Sequence, residues 1–154
     1  MYPVILALHS LVRWLVLIAL LLVIYKAYSG WFSRKTFSKA DNKARIWAII
    51  LVHIEFILGL WLYFISPVIE FFRNNFKEAV HQKDVRFFGM EHSVMMLIAV
   101  ILITIGSSKA KRKKTDTEKF RTLAIWFTIG LIIILISIPW SFSPFAARPA
   151  FRPF

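Results

Sequence analysis

The chain has 154 residues, a formal net charge of +12 and no cysteine, and 58% of its residues are hydrophobic. The absence of cysteine excludes disulfides, iron–sulfur clusters and haem attached covalently through a C-x-x-C-H motif. The hydrophobic share exceeds that of an ordinary soluble domain, and the apolar residues are gathered into long runs. These features indicate an integral membrane protein.

Most of the chain is taken up by four apolar runs, at 4–25, 46–65, 87–105 and 122–139. Each run is close to the ~20 residues that an α-helix needs to cross a ~30 Å hydrocarbon core. Only helices and closed barrels satisfy the backbone in lipid, and long runs without alternation are typical of helices. We predict a single domain, 1–154, with transmembrane helices at about 4–28, 43–66, 87–107 and 119–140.

Local signals indicate where these helices begin and end. Asp41 or Asn42 is the predicted N-cap of the second helix. Residues 66–67, a serine followed by a proline, are predicted to end that helix, because proline pushes the preceding residue out of the α region. The sequence Gly-Ser-Ser at 106–108 is predicted to end the third helix.

The connection between helices two and three, 68–86, is long for a helical hairpin. Phe71, Phe72 and Phe76 are interspersed with charged residues there, a pattern typical of an amphipathic helix on a membrane surface. The other two connections are shorter, so the helices they join are expected to be antiparallel neighbours. We therefore predict an all-α, transmembrane, up-down-up-down four-helix bundle with an amphipathic surface helix between helices two and three.

The distribution of basic residues predicts the orientation of the bundle. Thirteen lysines and arginines lie in or beside the first and third connections, against six in the second connection and the C-terminal tail. By the positive-inside rule, both termini face away from the cytoplasm. The basic run at 109–114 is interpreted as a determinant of orientation in contact with anionic headgroups, rather than as a nucleic-acid site. We expect a multi-pass protein of a bacterial inner membrane, surrounded by the lipid bilayer.

Three of the four histidines, His9, His53 and His92, lie inside apolar runs. An imidazole in hydrocarbon is costly without a partner, so such residues indicate a functional site. At ~1.5 Å of rise per residue, His9 and His92 lie at the same depth, in the outer half of helices that are diagonal in the bundle. Two imidazoles placed in this way can hold the iron of one haem b. His53 lies roughly 10 Å closer to the cytoplasm, and we predict that it is not a ligand.

Charged residues accompany these histidines. Arg13 is one turn from His9, and Glu55 is on the second helix near the midplane. Because a guanidinium buried in lipid needs a carboxylate or several carbonyls, we predict an Arg13–Glu55 pair, which either pins helices one and two together or takes part in proton movement. Glu91 precedes His92 but points about 100° away around the helix, so it is expected to orient a ligand on a neighbouring helix or to reach the outer interface.

Further residues are candidates for a haem pocket. Met95 and Met96 lie on the helix face of His92, where Met96 could be an axial ligand or simply part of the packing. A porphyrin needs flat apolar walls, which we expect from Ala7, Phe87, Phe88 and Leu97. Its propionates would face outward, toward basic residues that include Lys83, Arg86, Arg148 and Arg152.

Three classes of function remain open. The first is a membrane cytochrome that binds one haem b through His9 and His92 and passes electrons between a quinol and a partner protein. The second is a copper- or zinc-binding membrane protein that uses His9, His53, His92 and the methionines, although a metal requires all ligands within about 2 Å. The third is a cofactor-free accessory subunit of a larger membrane complex or a homo-oligomer, whose histidines form hydrogen bonds between helices.

The segments LHSLVRW at 8–14, VH at 52–53 and EH at 91–92 resemble small bacterial cytochrome-b-like membrane proteins, which relate to the cytochrome b561 and CopD-like four-helix architecture. In b561-type proteins, histidines on facing helices hold haem b. The resemblance therefore implies haem ligation by His9 and His92, and the motifs that carry it also include His53. The second complete histidine pair of a two-haem protein is missing from this sequence.

Overall fold

A computed structural model describes residues 1–149, so Arg152 lies outside the described residues. Within that range the chain forms α-helices and one π-helical turn, with almost no irregular structure before the C-terminal tail. In chain order the elements are α1 (Tyr2–Phe32), α2 (Lys39–Ile65), α3 (Pro67–Asn74), α4 (Phe76–Ala79), α5 (Lys83–Arg86), the π-helical turn (Phe87–Glu91), α6 (His92–Lys111) and α7 (Asp116–Ser137).

Four of these segments are long and apolar enough to cross a membrane: α1, α2, the continuous stretch Lys83–Lys111 that contains α6, and α7. The prediction of a multi-pass, all-α membrane protein is therefore confirmed. α1 packs against α2 and α7, and α6 packs against α7 and, over a smaller area, against α2. This order places α1 and α6 diagonally, as expected for an up-down-up-down bundle.

The core of the bundle lies between α1, α6 and α7. Leu20, Ile103 and Phe127, one from each of these helices, have no exposed surface. The side between α2 and α6 is joined mainly by polar contacts instead. Arg45 Nη1 donates to Ser107 Oγ (2.6 Å), and His53 Nε2 lies 3.3 Å from Thr104 Oγ1. Near the start of α6, Tyr63 donates to the carbonyl of Gly89 (3.2 Å).

Both helices that start at the basic connections begin with a capping box. Ser38 Oγ accepts the Asp41 N–H (3.2 Å), and the Asp41 carboxylate accepts the Ser38 N–H (2.9 Å). Thr115 and Glu118 repeat this arrangement at the start of α7. The prediction that Asp41 or Asn42 caps the second helix was wrong, because Asp41 is the third residue of a box that Ser38 opens.

Glycines allow close approach between helices at two places where a helix runs past its predicted end. A Cβ on Gly30 would collide with the Phe120 ring, and one on Gly106 with the side chain of Trp126. Small residues of this kind let membrane helices pack closely. α1 continues through Gly30 to Phe32, and α6 continues through 106–108 to Lys111.

The connection at 66–91 contains the predicted amphipathic surface helix in a shortened form. α3 buries Ile69 and Phe72 and exposes Glu70 and Arg73. The Phe72 ring occupies the space over Gly89 that a side chain would otherwise fill. The rest of the connection divides into the single turns α4 and α5. We call this end of the bundle, with both ends of the described chain, the terminal end, and the opposite end, with connections 33–38 and 112–115, the basic end.

Candidate functional site

His9 projects from α1 toward α2 near the terminal end. Its Nδ1 lies 3.1 Å from Glu55 Oε1, and the two side chains are 22% and 16% exposed. Glu55 and Gly59 share one face of α2 because they are four residues apart. A Cβ on Gly59 would lie 3.2 Å from Cε1 of His9, so the missing side chain makes room for the ring.

His92 opens α6 directly after the π-helical turn and points toward the end of α7. Its Nδ1 lies 2.8 Å from the carbonyl oxygen of Ser137. In a longer helix this oxygen would accept the N–H of residue 141, but α7 ends at Ser137 because Pro139 holds the preceding residue in an extended conformation. The ring centroids of Phe87 and Phe88 lie 5.7 Å and 6.0 Å from that of His92.

The two imidazoles share one feature of local geometry, since Nδ1 of each lies close to an acceptor on a neighbouring helix. His92 forms a hydrogen bond with a main-chain carbonyl, whereas His9 lies beside a carboxylate without an aligned hydrogen bond. An acceptor at Nδ1 favours the tautomer that carries its proton there and leaves a lone pair on Nε2. Within residues 1–149, no side-chain or main-chain group bonds to Nε2 of His9 or His92.

Electrostatic interactions connect these groups across the bundle. Glu55 lies within the range of electrostatic interaction of both His9 and Arg13. His92 lies within the same range of His9 and Arg13. Four residues singled out from the sequence, His9, Arg13, Glu55 and His92, therefore gather in one region near the terminal end.

The direct His9–Glu55 contact was not predicted from the sequence, which paired Glu55 with Arg13 instead. Arg13 contributes an additional favourable charge interaction with Glu55, and its guanidinium lies 5.5 Å from the Trp14 ring centroid. One sequence signal for the His9 contact was available. Glu55 and Gly59, four residues apart, place a carboxylate next to a position with space for a ring on the same helix face.

His53 is held in a different environment, on the side of α2 that faces α6. Its Nδ1 lies 2.8 Å from the carbonyl oxygen of Ile49, one turn earlier in α2. Its Nε2 lies 3.3 Å from Thr104 Oγ1 on α6. Both ring nitrogens therefore have partners, and the predicted separation of His53 from the other two histidines agrees with this placement.

Charged residues of the terminal end pair with one another. Arg86 Nε donates to Glu91 Oε1 (2.6 Å), so Glu91 contacts the connection before α6. Arg148 lies 3.5 Å from Asp84 and 5.1 Å from the Phe88 ring centroid, which brings the C-terminal tail against the same connection. Of the basic residues expected to face haem propionates, Arg86 and Arg148 are thus already paired with carboxylates.

The remaining residues predicted to line a haem pocket differ in how deeply they are buried. Ala7 and Phe87 are buried, whereas Leu97 is 44% exposed. The contribution of these residues to a haem pocket stays a prediction. Met96 packs against the buried core. Two carboxylate oxygens, Glu55 Oε2 and Glu91 Oε2, are buried without a hydrogen-bond partner among residues 1–149.

A metal site made by side chains alone has less support. Within the described part of the chain, no three histidine or acidic side chains converge as a metal-binding group. The copper or zinc alternative drew on His9, His53 and His92. The structure turns His53 toward Thr104 on α6, away from a common centre with the other two.

The sequence matches no known protein-family model, and neither a curated protein nor a solved structure is detectably similar to it. The resemblance to cytochrome b561 and CopD-like proteins thus stands on its short motifs alone. The geometry of the histidines is the observation from which a function can be proposed.

Proposed function

We propose that this chain is a membrane cytochrome that binds one haem b through His9 and His92 and transfers electrons between a quinol and a partner protein. The observation that supports the proposal is the common geometry of the two rings. Each Nδ1 faces a fixed acceptor, Glu55 for His9 and the Ser137 carbonyl for His92. Histidines that ligate metals have this arrangement, because the acceptor fixes the tautomer and orients the ring.

The residues present suit a haem by their chemistry and their position. Two imidazoles from diagonal helices are the donor set of a low-spin haem b. Phe87 and Phe88 offer aromatic surface beside His92, and Gly59 accommodates the ring of His9 against α2. His53, with both ring nitrogens engaged, stays outside this donor set.

A bound haem would supply reversible one-electron chemistry, and quinol oxidation also requires that protons leave. Glu55 is placed to hold such a proton, because its Oε2 is buried and has no hydrogen-bond partner among residues 1–149. Its other oxygen, Oε1, lies 3.1 Å from His9 Nδ1, so the carboxyl group contacts a residue of the proposed haem site. Proton acceptance at Glu55 Oε2 is the step that we assign to the chain itself.

The basic end is proposed to face the cytoplasm of a bacterial cell and the terminal end the opposite side of its inner membrane. Two contacts join the segments around the basic connections: the Phe37 ring packs edge-on against Phe120 of α7 (5.0 Å between centroids), and Arg45 of α2 donates to Ser107 of α6. Grouping basic residues at one end agrees with the positive-inside rule. The haem site then lies in the outer half of the membrane.

Absorbance spectroscopy tests the proposal. The protein purified from haem-replete cells is expected to show a Soret band with low-spin bis-histidine features. His9→Ala and His92→Ala should each lose the band, and His53→Ala, which also removes an intramembrane imidazole, should keep it. A colourless wild-type protein, or retention of the band in all three variants, would contradict haem binding at this site.

A cofactor-free accessory subunit is the second candidate, and a specific observation favours it. Each intramembrane histidine already joins two helices: His9 joins α1 to α2, His53 joins α2 to α6, and His92 joins α6 to α7. Polar contacts between helices of this kind are a common role for polar residues in membranes. A colourless protein that copurifies with a larger membrane complex, or as a homo-oligomer, would support this function.

A further inference from the structure

Arg45 carries a buried positive charge at the basic end, at the opposite end of the bundle from His9 and His92. The residue is 8% exposed. Its guanidinium donates to Ser107 Oγ (2.6 Å) and, through Nε and Nη2, to Asn42 Oδ1 (3.1 and 2.8 Å). All of these acceptors are uncharged. None of the ion pairs among residues 1–149 includes Arg45, although a buried cation is normally paired with an anion.

Arg45 lines a cavity of about 440 Å³ between the start of α2 and the end of α6. Five of the nine residues that line the cavity are basic, and none is acidic. The other four basic residues are Lys39, Lys43, Lys111 and Lys119. Of these, Lys119 is paired with Asp116 (3.0 Å), whereas no ion pair among residues 1–149 includes the remaining three.

The nearest acidic residue of α2 is already engaged. Asp41 lies 2.8 Å from Lys26 Nζ and also accepts the N–H and hydroxyl of Ser38, so its charge is compensated by neighbours. The N-terminus of α2 adds the positive end of a helix dipole to the same region. The cavity therefore has an excess of positive charge that no described carboxylate balances.

We infer that this cavity binds a phosphate group, carried either by the headgroup of an anionic phospholipid or by a soluble phosphate. Arginine forms paired hydrogen bonds with phosphate oxygens, and lysines add point charges around them. The inference concerns the opposite end of the bundle from the proposed haem site and does not depend on it.

The position of the cavity favours the lipid as the source of the phosphate. Arg45 directly precedes the apolar run of α2, whose next residues, Ile46 and Trp47, are 40% and 61% exposed. At the same end, Lys109 Nζ lies 4.6 Å from the Trp126 ring centroid. Tryptophan and lysine are typical of the membrane interface, where headgroups lie, and basic pockets between helices on the cytoplasmic side bind anionic headgroups.

The test compares two double variants that remove the same charge from the same end of the protein. Lys43→Gln with Lys111→Gln removes two cations from the cavity. Lys113→Gln with Lys114→Gln removes two exposed cations that do not line it. The thermal midpoint of the full chain in neutral detergent is measured as dioleoylphosphatidylglycerol, dioleoylphosphatidylcholine or inorganic phosphate is added, and affinities are obtained from the shifts.

Wild type and the exposed-lysine variant are expected to be stabilised by phosphatidylglycerol but not by phosphatidylcholine. The cavity variant should bind phosphatidylglycerol about tenfold or more weakly, from the loss of two lysines near the bound charge. Protection by inorganic phosphate that is lost in the cavity variant would assign the site to a soluble phosphate. Equal responses of the two double variants to every anion would overturn the inference.

Arg45→Gln provides a second measurement. Removing the guanidinium should abolish the specific response to the anion, because the central donor of the site is lost. If that variant does not fold in detergent, the comparison of the two lysine double variants alone decides the question, since their side chains are not needed for the Arg45–Ser107 contact.

Discussion

The imidazole of His92 on α6 is held by the last residue of α7, with Nδ1 2.8 Å from the carbonyl oxygen of Ser137. The bond exists because α7 ends there and leaves that oxygen without a helical partner. The orientation of His92 is consequently set by the point at which another helix stops.

Replacing His92 by phenylalanine tests how much this bond contributes to the stability of the protein. His92→Phe keeps a ring of similar size but leaves the buried Ser137 carbonyl without its partner. We expect the free energy of unfolding to fall by about 1–3 kcal/mol, measured by denaturant unfolding in detergent micelles without haem. His81→Phe, at an exposed position of the second connection, is the matched control and should change little. An unchanged stability of His92→Phe would argue against the bond.

The contact between His9 and Glu55 predicts thermodynamic coupling. His9→Ala and Glu55→Ala should each destabilise the protein, and the double variant should lose less than the two effects combined, with a coupling energy of about 0.5–3 kcal/mol. The control cycle combines His9→Ala with Glu70→Ala, at an exposed position of α3. These two substitutions should show no coupling. Additive effects of His9→Ala and Glu55→Ala would show that the two side chains do not interact in the membrane protein.

The predicted interaction of Arg13 with Glu55 can also be tested by comparing single and double variants. Removing one partner leaves a charge in a low-dielectric interior, which costs roughly 3–5 kcal/mol for a fully buried pair. Arg13→Ala and Glu55→Ala should therefore each lower the yield of folded protein more than the double variant does. Wild-type yields for both single variants would place Arg13 in contact with the polar surface of the membrane instead.

Close helix packing predicts that replacing either of two glycines by alanine destabilises the protein. A Cβ on Gly106 would collide with Trp126, and one on Gly130 with Ile103. Gly106→Ala and Gly130→Ala should each destabilise the bundle by about 1–3 kcal/mol, although alanine is the better helix former by about 1 kcal/mol. Ser108→Ala, exposed on α6, serves as the control and should be neutral. Stabilisation by Gly106→Ala would mean that α6 and α7 lie farther apart.

The grouping of basic residues predicts the topology in cells. A reporter that is active only in the cytoplasm should stay silent when fused to the C-terminus and become active when inserted in the basic connection at 112–115. The inserted fusion is the positive control, because it places the same reporter at the other end of α7. Strong activity of the C-terminal fusion would reverse the proposed orientation.

Hydropathy and length were enough to predict the four long helices, because the cost of exposing backbone to lipid leaves few other structures. The ends of helices were harder to predict, since α6 passes through 106–108, where Trp126 and Arg45 contact the segment from other helices. Counting residues gave His9 and His92 similar depths, but it carries no information on helix rotation. The His9–Glu55 contact depends on that rotation and was missed.

The π-helical turn at Phe87–Glu91 limited the prediction for Glu91. A π-helical turn holds more residues than an α-helical turn, so the angle between residues before and after it departs from the usual 100° step. A projection based on a regular α-helix therefore could not place Glu91 relative to the residues of the connection. The structure turns it toward Arg86.

The uneven packing around the bundle has a consequence for its motion. α1 and α7 share extensive contacts with their neighbours, whereas α2 and α6 meet over a small area that three polar bonds bridge. Local opening is easiest where few buried apolar contacts must break. We therefore expect α2 and α6 to separate more readily than the other neighbouring helices, which would make that side of the bundle the easiest route from the lipid to the interior.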